Sequence, residues 1–189
     1  MLTCKQISNK PVITSDGRIL GKLASAIVDE DWVIPLFSIF IERDLAQKFH
    51  IRKPLFGGPK AFLEPKEVSA LSDNVILKRK LLEMEEYLKE KGVGMEASRL
   101  LRRRVLGTDG YHFGELQDMV IDQAHWRISE LFVEVRKKAA DEMGFPMTLF
   151  GTCHAKVPVK RVETIKDSVL LSLGPDDFKE YIVKQKPRD

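Results

Sequence analysis

Two stretches of this chain follow one pattern: residues 15–23 read SDGRILGKL and residues 108–116 read TDGYHFGEL. The match does not stop there. A shift of 93 residues pairs Val12 with Val105, Asp16 with Asp109, Gly17 with Gly110, Gly21 with Gly114, Leu23 with Leu116 and Asp29 with Asp122. A shift of 94 then pairs Trp32 with Trp126, Leu55-Phe56-Gly57 with Leu149-Phe150-Gly151, and Ala61 with Ala155. The same shift pairs Lys66, Val68, Asp73, Val75 and Leu77 with Lys160, Val162, Asp167, Val169 and Leu171. These sixteen identities stand against the roughly four that composition alone would give, so the chain carries an internal duplication. The expected organisation is a first domain over 1–78, a helical linker over 79–102, a second domain over 103–174, and a short helix and tail over 175–189.

Within each copy the local signals are those of short, sharply bent strands. Asp-Gly between apolar pairs (Val12-Ile13 and Ile19-Leu20 in the first copy) is a strong short-range hairpin signal, with both central positions expected at positive φ. The second glycine, Gly21 or Gly114, falls inside a strand, where glycine marks a bulge or a tight bend. Residues 129–137, SELFVEVRK, alternate with Leu131, Val133 and Val135 on one face and Phe132, Glu134 and Arg136 on the other. The first copy places Phe37, Ile39 and Ile41 inward and Ser38, Phe40 and Glu42 outward. Residues 42–49 and 135–143 hold helix formers enough for one short helix per copy. In the linker, Leu81, Met84, Glu85 and Leu88 have helical spacing, and Gly92 would close that helix. Five or six short strands in about 65 residues close most economically into a small barrel. The fold expected is therefore mainly β with short helices: two tandem small β-barrels joined by a helical linker. Domains this small are marginal alone, so the copies are expected to dock.

The pattern D-G-x-x-h-G-x-L, followed by a strand ending in Asp29 or Asp122, resembles the PRC-barrel family. So does the later run through Val157-Pro158-Val159, Val162, Asp167, Val169 and Leu171. The resemblance covers both copies and is nearest to the tandem-repeat archaeal type. It is more distant from the C-terminal domain of the ribosome-maturation protein RimM and from the reaction-centre H subunit. The first copy departs from the pattern around Glu64-Pro65-Lys66-Glu67. The resemblance implies a small barrel used as an adaptor rather than a catalyst. It further implies a role in cell division, in association with the SepF/FtsZ division machinery, through a SepF-like anchor, and with itself or a PRC-barrel paralogue as a homo- or hetero-dimer.

The remaining composition narrows the chemistry. A net charge of +3 is too small to argue for nucleic acid by itself. Two cysteines, Cys4 and Cys153, are too few for a disulfide framework and fit a reducing compartment. The opening residues hold no apolar signal segment, and the longest apolar run, residues 32–41, is too short to span a bilayer and reads as a strand. The expected location is cytoplasmic, with recruitment to a division site. His50, His112, His125 and His154 have no metal-ligand spacing, and adjacent Cys153 and His154 point apart in an extended segment. Gly57-Gly58-Pro59-Lys60 lacks the spacing of a phosphate loop. Asp16, Asp29, Asp109 and Asp122 read as turn carboxylates, and Trp32 and Trp126 as core aromatics. No catalytic, cofactor or metal residue is assigned. The candidate protein interface is Phe40, Phe132, Leu81, Met84 and Leu88. The candidate basic patch is Arg99, Arg102, Arg103 and Arg104, with Glu83, Glu85, Glu86, Glu90 and Glu96 as nearby partners. The structural turns and bends are Asp16, Gly17, Gly21, Asp109, Gly110 and Gly114. The alternative function is a ribosome- or RNA-associated factor using the arginine cluster. It is disfavoured by the lack of interleaved aromatics. An enzyme with an unrecognised site is a third reading.

Overall fold

The structure, a computed structural model, describes residues 1–52, 54, 57–145 and 151–183. The chain is mainly β, with two sheets and a few short helices. It divides into two units. The first comprises residues 2–99 together with 122–127. The second comprises Met1, residues 100–121 and the chain from Ile128 onward. Among the described residues no helix is long and apolar enough to cross a membrane.

The first unit contains β1 (Leu2–Thr3), α1 (Cys4–Ile7), β2 (Pro11–Ile13), β3 (Ile19–Val28), β4 (Leu36–Ile41), α2 (Arg43–Lys48), β5 (Lys60–Leu63), β6 (Val68–Leu71), β7 (Val75–Leu77) and β8 (Met95–Glu96). Its strands lie in the order β5-β4-β3-β2-β7-β6, with β8 on β3. Among β2 to β8 the pairings are antiparallel except that of β2 with β7. In the second part of the chain come β9 (Arg104–Leu106), β10 (His112–Asp122), β11 (Arg127–Val135), α3 (Lys137–Glu142), β12 (Cys153–Pro158), β13 (Val162–Ile165), β14 (Ser168–Leu171), α4 (Pro175–Phe178) and β15 (Ile182–Val183). The order here is β15-β12-β11-β10-β9-β14-β13, and β9 pairs with β14 in parallel.

Alternation decides which way each strand faces. On β4, Phe37, Ile39 and Ile41 are buried, as period-2 patterning requires. Ser38, expected outside, is also buried. Its hydroxyl stays satisfied by donating to the Ser25 carbonyl (3.2 Å). On β11, Leu131, Val133 and Val135 are buried. Phe113 stacks on Phe178 of α4, centroids 3.9 Å apart, which ties α4 into the core of the second unit.

The expected barrel closure is not present in the hydrogen bonding: the pairing path of each sheet is open among the described residues. The edge that would have to close is already taken. Phe62 on β5 exchanges backbone hydrogen bonds with Lys89 (2.8 Å each way), and β12 pairs with β15. From β5 the chain turns a corner through a 3-10 turn, Pro65–Glu67, whose proline has no N–H to donate. Val159–Arg161 makes the same turn after β12.

The linker also differs from expectation. Instead of an α-helix running to Gly92, the chain forms a six-residue 3-10 helix, Leu81–Glu86. This segment and β8 belong to the first unit. The Asp16 carboxylate accepts the Leu81 N–H (3.1 Å), and Arg79 Nε donates to buried Glu67 (3.0 Å) while lying 4.5 Å over the Tyr87 ring. Anchors at both ends hold the short turn, so it does not continue as a free helix. The tail is a four-residue α4, a 3-10 turn and β15 rather than one helix.

Both Asp-Gly turns have one geometry, and it is not the expected two-residue turn. Thr14 N–H donates to the Arg18 carbonyl (2.9 Å) and Gly17 N–H to the Thr14 carbonyl (2.9 Å). Gly107 N–H donates likewise to Tyr111 (2.8 Å) and Gly110 N–H to Gly107 (3.0 Å). Only the glycines, Gly17 (φ 77) and Gly110 (φ 78), are left-handed; neither aspartate is. This is a type I turn followed by a glycine bulge. It frees the aspartate side chains to accept: Asp16 from the Thr14 hydroxyl (2.6 Å) and Asp109 from the Tyr111 N–H (3.0 Å).

Four residues on, the register skips Leu20 opposite β2 and Phe113 opposite β9, so each strand bulges one residue before its inner glycine. A Cβ on Gly21 would lie 2.0 Å from the Phe40 carbonyl oxygen, and one on Gly114 1.9 Å from that of Glu134. Gly21→Ala and Gly114→Ala are each expected to cost roughly 3 kcal/mol or more, since backbone must move. Gly17→Ala, with open space around it, should cost only about 1 kcal/mol for its left-handed φ. Urea unfolding of the three variants checks this ranking, and equal losses would contradict it.

Candidate interaction surface

Cross-strand register builds the most distinctive surface of the first unit. Lys22 on β3 faces Phe40 on β4, and Phe40 faces Lys60 on β5. Directly opposed residues project to the same side, so an aromatic ring stands between two lysines. Phe40 is 39% exposed and Lys22 is exposed. The Lys60 ammonium lies 5.0 Å from the Phe40 ring centroid and 2.8 Å from Glu96. Glu96 in turn lies 3.6 Å from Arg99.

The matching row of the second unit has the opposite chemistry. Gly114 meets the Glu134 carbonyl as Gly21 meets that of Phe40, so Glu115 and Glu134 stand where Lys22 and Phe40 stand. Glu134 faces His154 on β12, the counterpart of Lys60. Glu115 and Glu134 are exposed, and Gln117 Nε2 donates to Glu134 (3.1 Å). Phe132 points to this same face but is not bare: its ring stacks on His154, centroids 4.8 Å apart and planes 14° apart.

The other interface candidates lie elsewhere. Leu81 and Met84 are buried in the first unit and Leu88 is half-buried, so the first two are core residues. Their exposed neighbour is Leu82. The four arginines fall in different units. Arg99 belongs to the first and pairs with Glu96, whereas Arg102, Arg103 and Arg104 belong to the second. There Arg102 has a left-handed φ of 65, its N–H donating to the Leu116 carbonyl (2.8 Å). Arg104 on β9 faces Glu115.

The repeated tryptophans are half-buried rather than core, and both are left-handed, Trp32 at φ 64 and Trp126 at φ 48. Asp29 closes the first of these turns by accepting from the Asp31 and Val33 N–H groups (3.0 and 2.8 Å). Asp122 accepts from Ala124 N–H (2.9 Å) and contacts His125 Nδ1 (2.7 Å); the His125 contact holds its carboxyl below the usual range. Cys153 is buried, and burial pushes its thiol up, away from nucleophilic use. Its neighbour His154 is engaged with Phe132. Gly57 is left-handed (φ 85), and the Pro59 carbonyl accepts the Ile41 N–H (2.9 Å), so 57–60 is a turn feeding β5. The repeated Leu55-Phe56 and Leu149-Phe150 lie outside the described residues. Among the described residues no group of three or more His, Cys, Asp or Glu could hold a metal ion.

No protein-family model matches the chain, and no curated protein matches it by sequence.

Reading the sequence alone misses Lys22, Lys60, Glu115, Glu134 and His154 as surface partners. The signal was there in the repeat: each is a position where the two copies differ while the bend beside it is kept. Only the register shows that they share rows.

One electrostatic clamp secures the edge next to the lysine row. Hydrogen bonds from Lys66, and then Lys89, hold the Glu64 carboxyl down at about 2, from an ordinary 4.5. Both contacts are 2.5 Å. A lowered carboxylate stabilises the fold above pH 4.5 and loses that contribution as pH falls toward 2. The protection of the Phe62 and Lys89 amides, their exchange relative to an unstructured chain at the same pH, is therefore expected to fall selectively below pH 4.5. Glu64→Gln should already show that lower protection at about pH 7, and no change in the variant would refute the clamp.

Proposed function

We propose that the chain is a non-enzymatic adaptor built from two copies of a PRC-barrel-type module, acting through protein contacts in the assembly of a division site. What supports the duplicated module is the shared strand order, the parallel pairing of the β2/β7 kind recurring as β9/β14, and the twin turns and backbone approaches at Gly21 and Gly114. The partners under this reading are a SepF-like anchor and a second barrel protein, the same chain or a paralogue, and they rest on the family resemblance.

The observation that carries the adaptor reading is where the copies agree and where they differ. The residues kept in both serve turns, bends and core: Asp16/Asp109, Gly17/Gly110, Gly21/Gly114, Val12/Val105, Leu23/Leu116. The outward rows across the same strands have diverged, Lys22-Phe40-Lys60 against Glu115-Glu134-His154. A scaffold that keeps its frame and varies its outer faces is suited to holding different partners.

Affinity capture of the tagged protein from its native lysate, with and without nuclease, tests this reading. Nuclease-resistant recovery of division-ring proteins or of a barrel paralogue is the expected result. Recovery of ribosomal proteins that vanishes with nuclease or salt would replace it by the RNA-associated reading.

A further inference from the structure

The lone exposed phenylalanine on β4 would mean little by itself, since single apolar side chains are common on surfaces. Its setting is more specific. Lys22, Phe40 and Lys60 form a cationic row with an apolar centre. At the equivalent positions of the other sheet, Glu115 and Glu134 form an anionic pair beside the Phe132–His154 stack. Lys22, Phe40, Glu115 and Glu134 are exposed. Each face thus offers what the other lacks: ammonium groups against carboxylates, and a ring with no aromatic partner among the described residues against an aromatic platform.

We propose that the Lys22-Phe40-Lys60 face of one chain docks on the Glu115-Glu134-His154 face of a second copy. Phe40 then lies against the Phe132–His154 stack, where aromatic rings gain both area and edge contacts. With Phe40 there, Lys22, its neighbour on β3, approaches Glu134, the neighbour of His154 on β11. The like strand orders of the two sheets give the faces similar twist, which suits aligned sheet-on-sheet packing. Charge complementarity of this kind sets partner choice and register more than raw strength. Glu96 already shares Lys60, and Arg104 faces Glu115, so part of each charge is engaged within its own unit. The association is accordingly weak and salt-sensitive. Every chain carries one face of each kind, so the contact joins unlike faces. It is made twice in a closed pair and once per neighbour in an open chain.

The proposal rests on the adaptor reading only in treating these sheet faces as contact surfaces, and its test uses purified protein alone. Its failure therefore leaves the lysate capture result standing, and the reverse also holds. Sedimentation equilibrium of the full chain at low and at high salt is the first measurement. The wild type should associate in the micromolar range, on the order expected for small interfaces, and dissociate as salt rises. Lys22→Glu and Glu134→Lys should each weaken association about tenfold or more, and Phe40→Ala similarly. The two charge variants mixed in equal amounts should associate again, because between unlike variants the side chains at positions 22 and 134 carry opposite charges at every contact. Lys22 and Glu134 are exposed, so the two charge variants should unfold at the wild-type temperature; Lys22→Gln and Glu134→Gln replace either that does not. A wild type that stays monomeric at roughly several hundred micromolar in low salt, well above weak-interface affinities, would overturn the proposal. So would a mixture as monomeric as its components. Loss of binding to a labelled oligouridine in Lys22→Glu, with self-association unchanged, would assign the lysine row to nucleic acid and overturn it as well.

Discussion

The close approach of two backbones at Gly21 and Gly114 is the constraint on which the rest of each sheet depends. At both positions the neighbouring carbonyl, of Phe40 or Glu134, occupies the space a Cβ would need. Strands that come this near must bend, and the bulge at Leu20 or Phe113 supplies the bend by turning one extra residue into the core. From that bend follow the inward face of β4 and β11 and the outward row that each presents. Asp16 of the first Asp-Gly turn gains a further task, anchoring Leu81 and so the whole 3-10 segment. The Thr14 hydroxyl, helped by the Leu81 N–H, holds this carboxyl below the ordinary range although it sits at the surface. In the second unit the same atom of Asp109 accepts the local Tyr111 N–H, and Phe178 ties in the following helix through its stack on Phe113.

The two sheets share one strand order and one bend while their outer chemistry differs. An inner residue such as Val12 or Leu23 touches many neighbours in a close-packed interior, so a change of volume is costly. An outer residue such as Lys22 meets mostly water, and its exchange for Glu115 costs the fold little. The two rows differ in charge and aromatic content while the bends beside them match. Phe40 in place of a charge is the sharpest case, because its ring remains 39% exposed beside the Lys60 ammonium.

Much of this frame was legible in the sequence, and for identifiable reasons. Period-2 alternation placed Leu131, Val133 and Val135 inward because side chains on a strand have no other choice. The second glycine of the repeat announced a bend because nothing larger fits where the neighbouring carbonyl lies 2.0 Å from a Cβ position. Other features depended on partners far along the chain. The linker's helical spacing was overridden by Asp16, Glu67 and the Phe62–Lys89 bridge, none of which a local window contains. Ser38 went inward because Ser25 was there to accept its hydroxyl. Barrel closure was the economical solution for counted strands, but the count did not reveal that residues 89 and 182–183 would take the open edge. The lysine row needed register, which one strand read alone does not carry.

The tryptophans show the same limit from another side. Trp32 N–H donates to the Asp29 carbonyl (3.2 Å) and Asp29 N–H to that of Val33 (3.0 Å). This is the hydrogen-bond pattern of the Asp-Gly turns, with Trp32 in the place of Gly17. A left-handed tryptophan costs about 1 kcal/mol or more relative to glycine, so something must offset it. In the first unit that compensation is visible for Trp126. Its ring stands edge-on to Phe37 at 5.4 Å and 85°, and its carbonyl accepts the Ile34 N–H at 2.7 Å. An edge-to-face pair contributes roughly 0.5–1.5 kcal/mol beyond the area it buries, enough to match the strain. The turn thus holds a residue that its backbone disfavours because the ring reaches a buried phenylalanine which glycine could not. That is a tertiary reason for a local anomaly at Trp126.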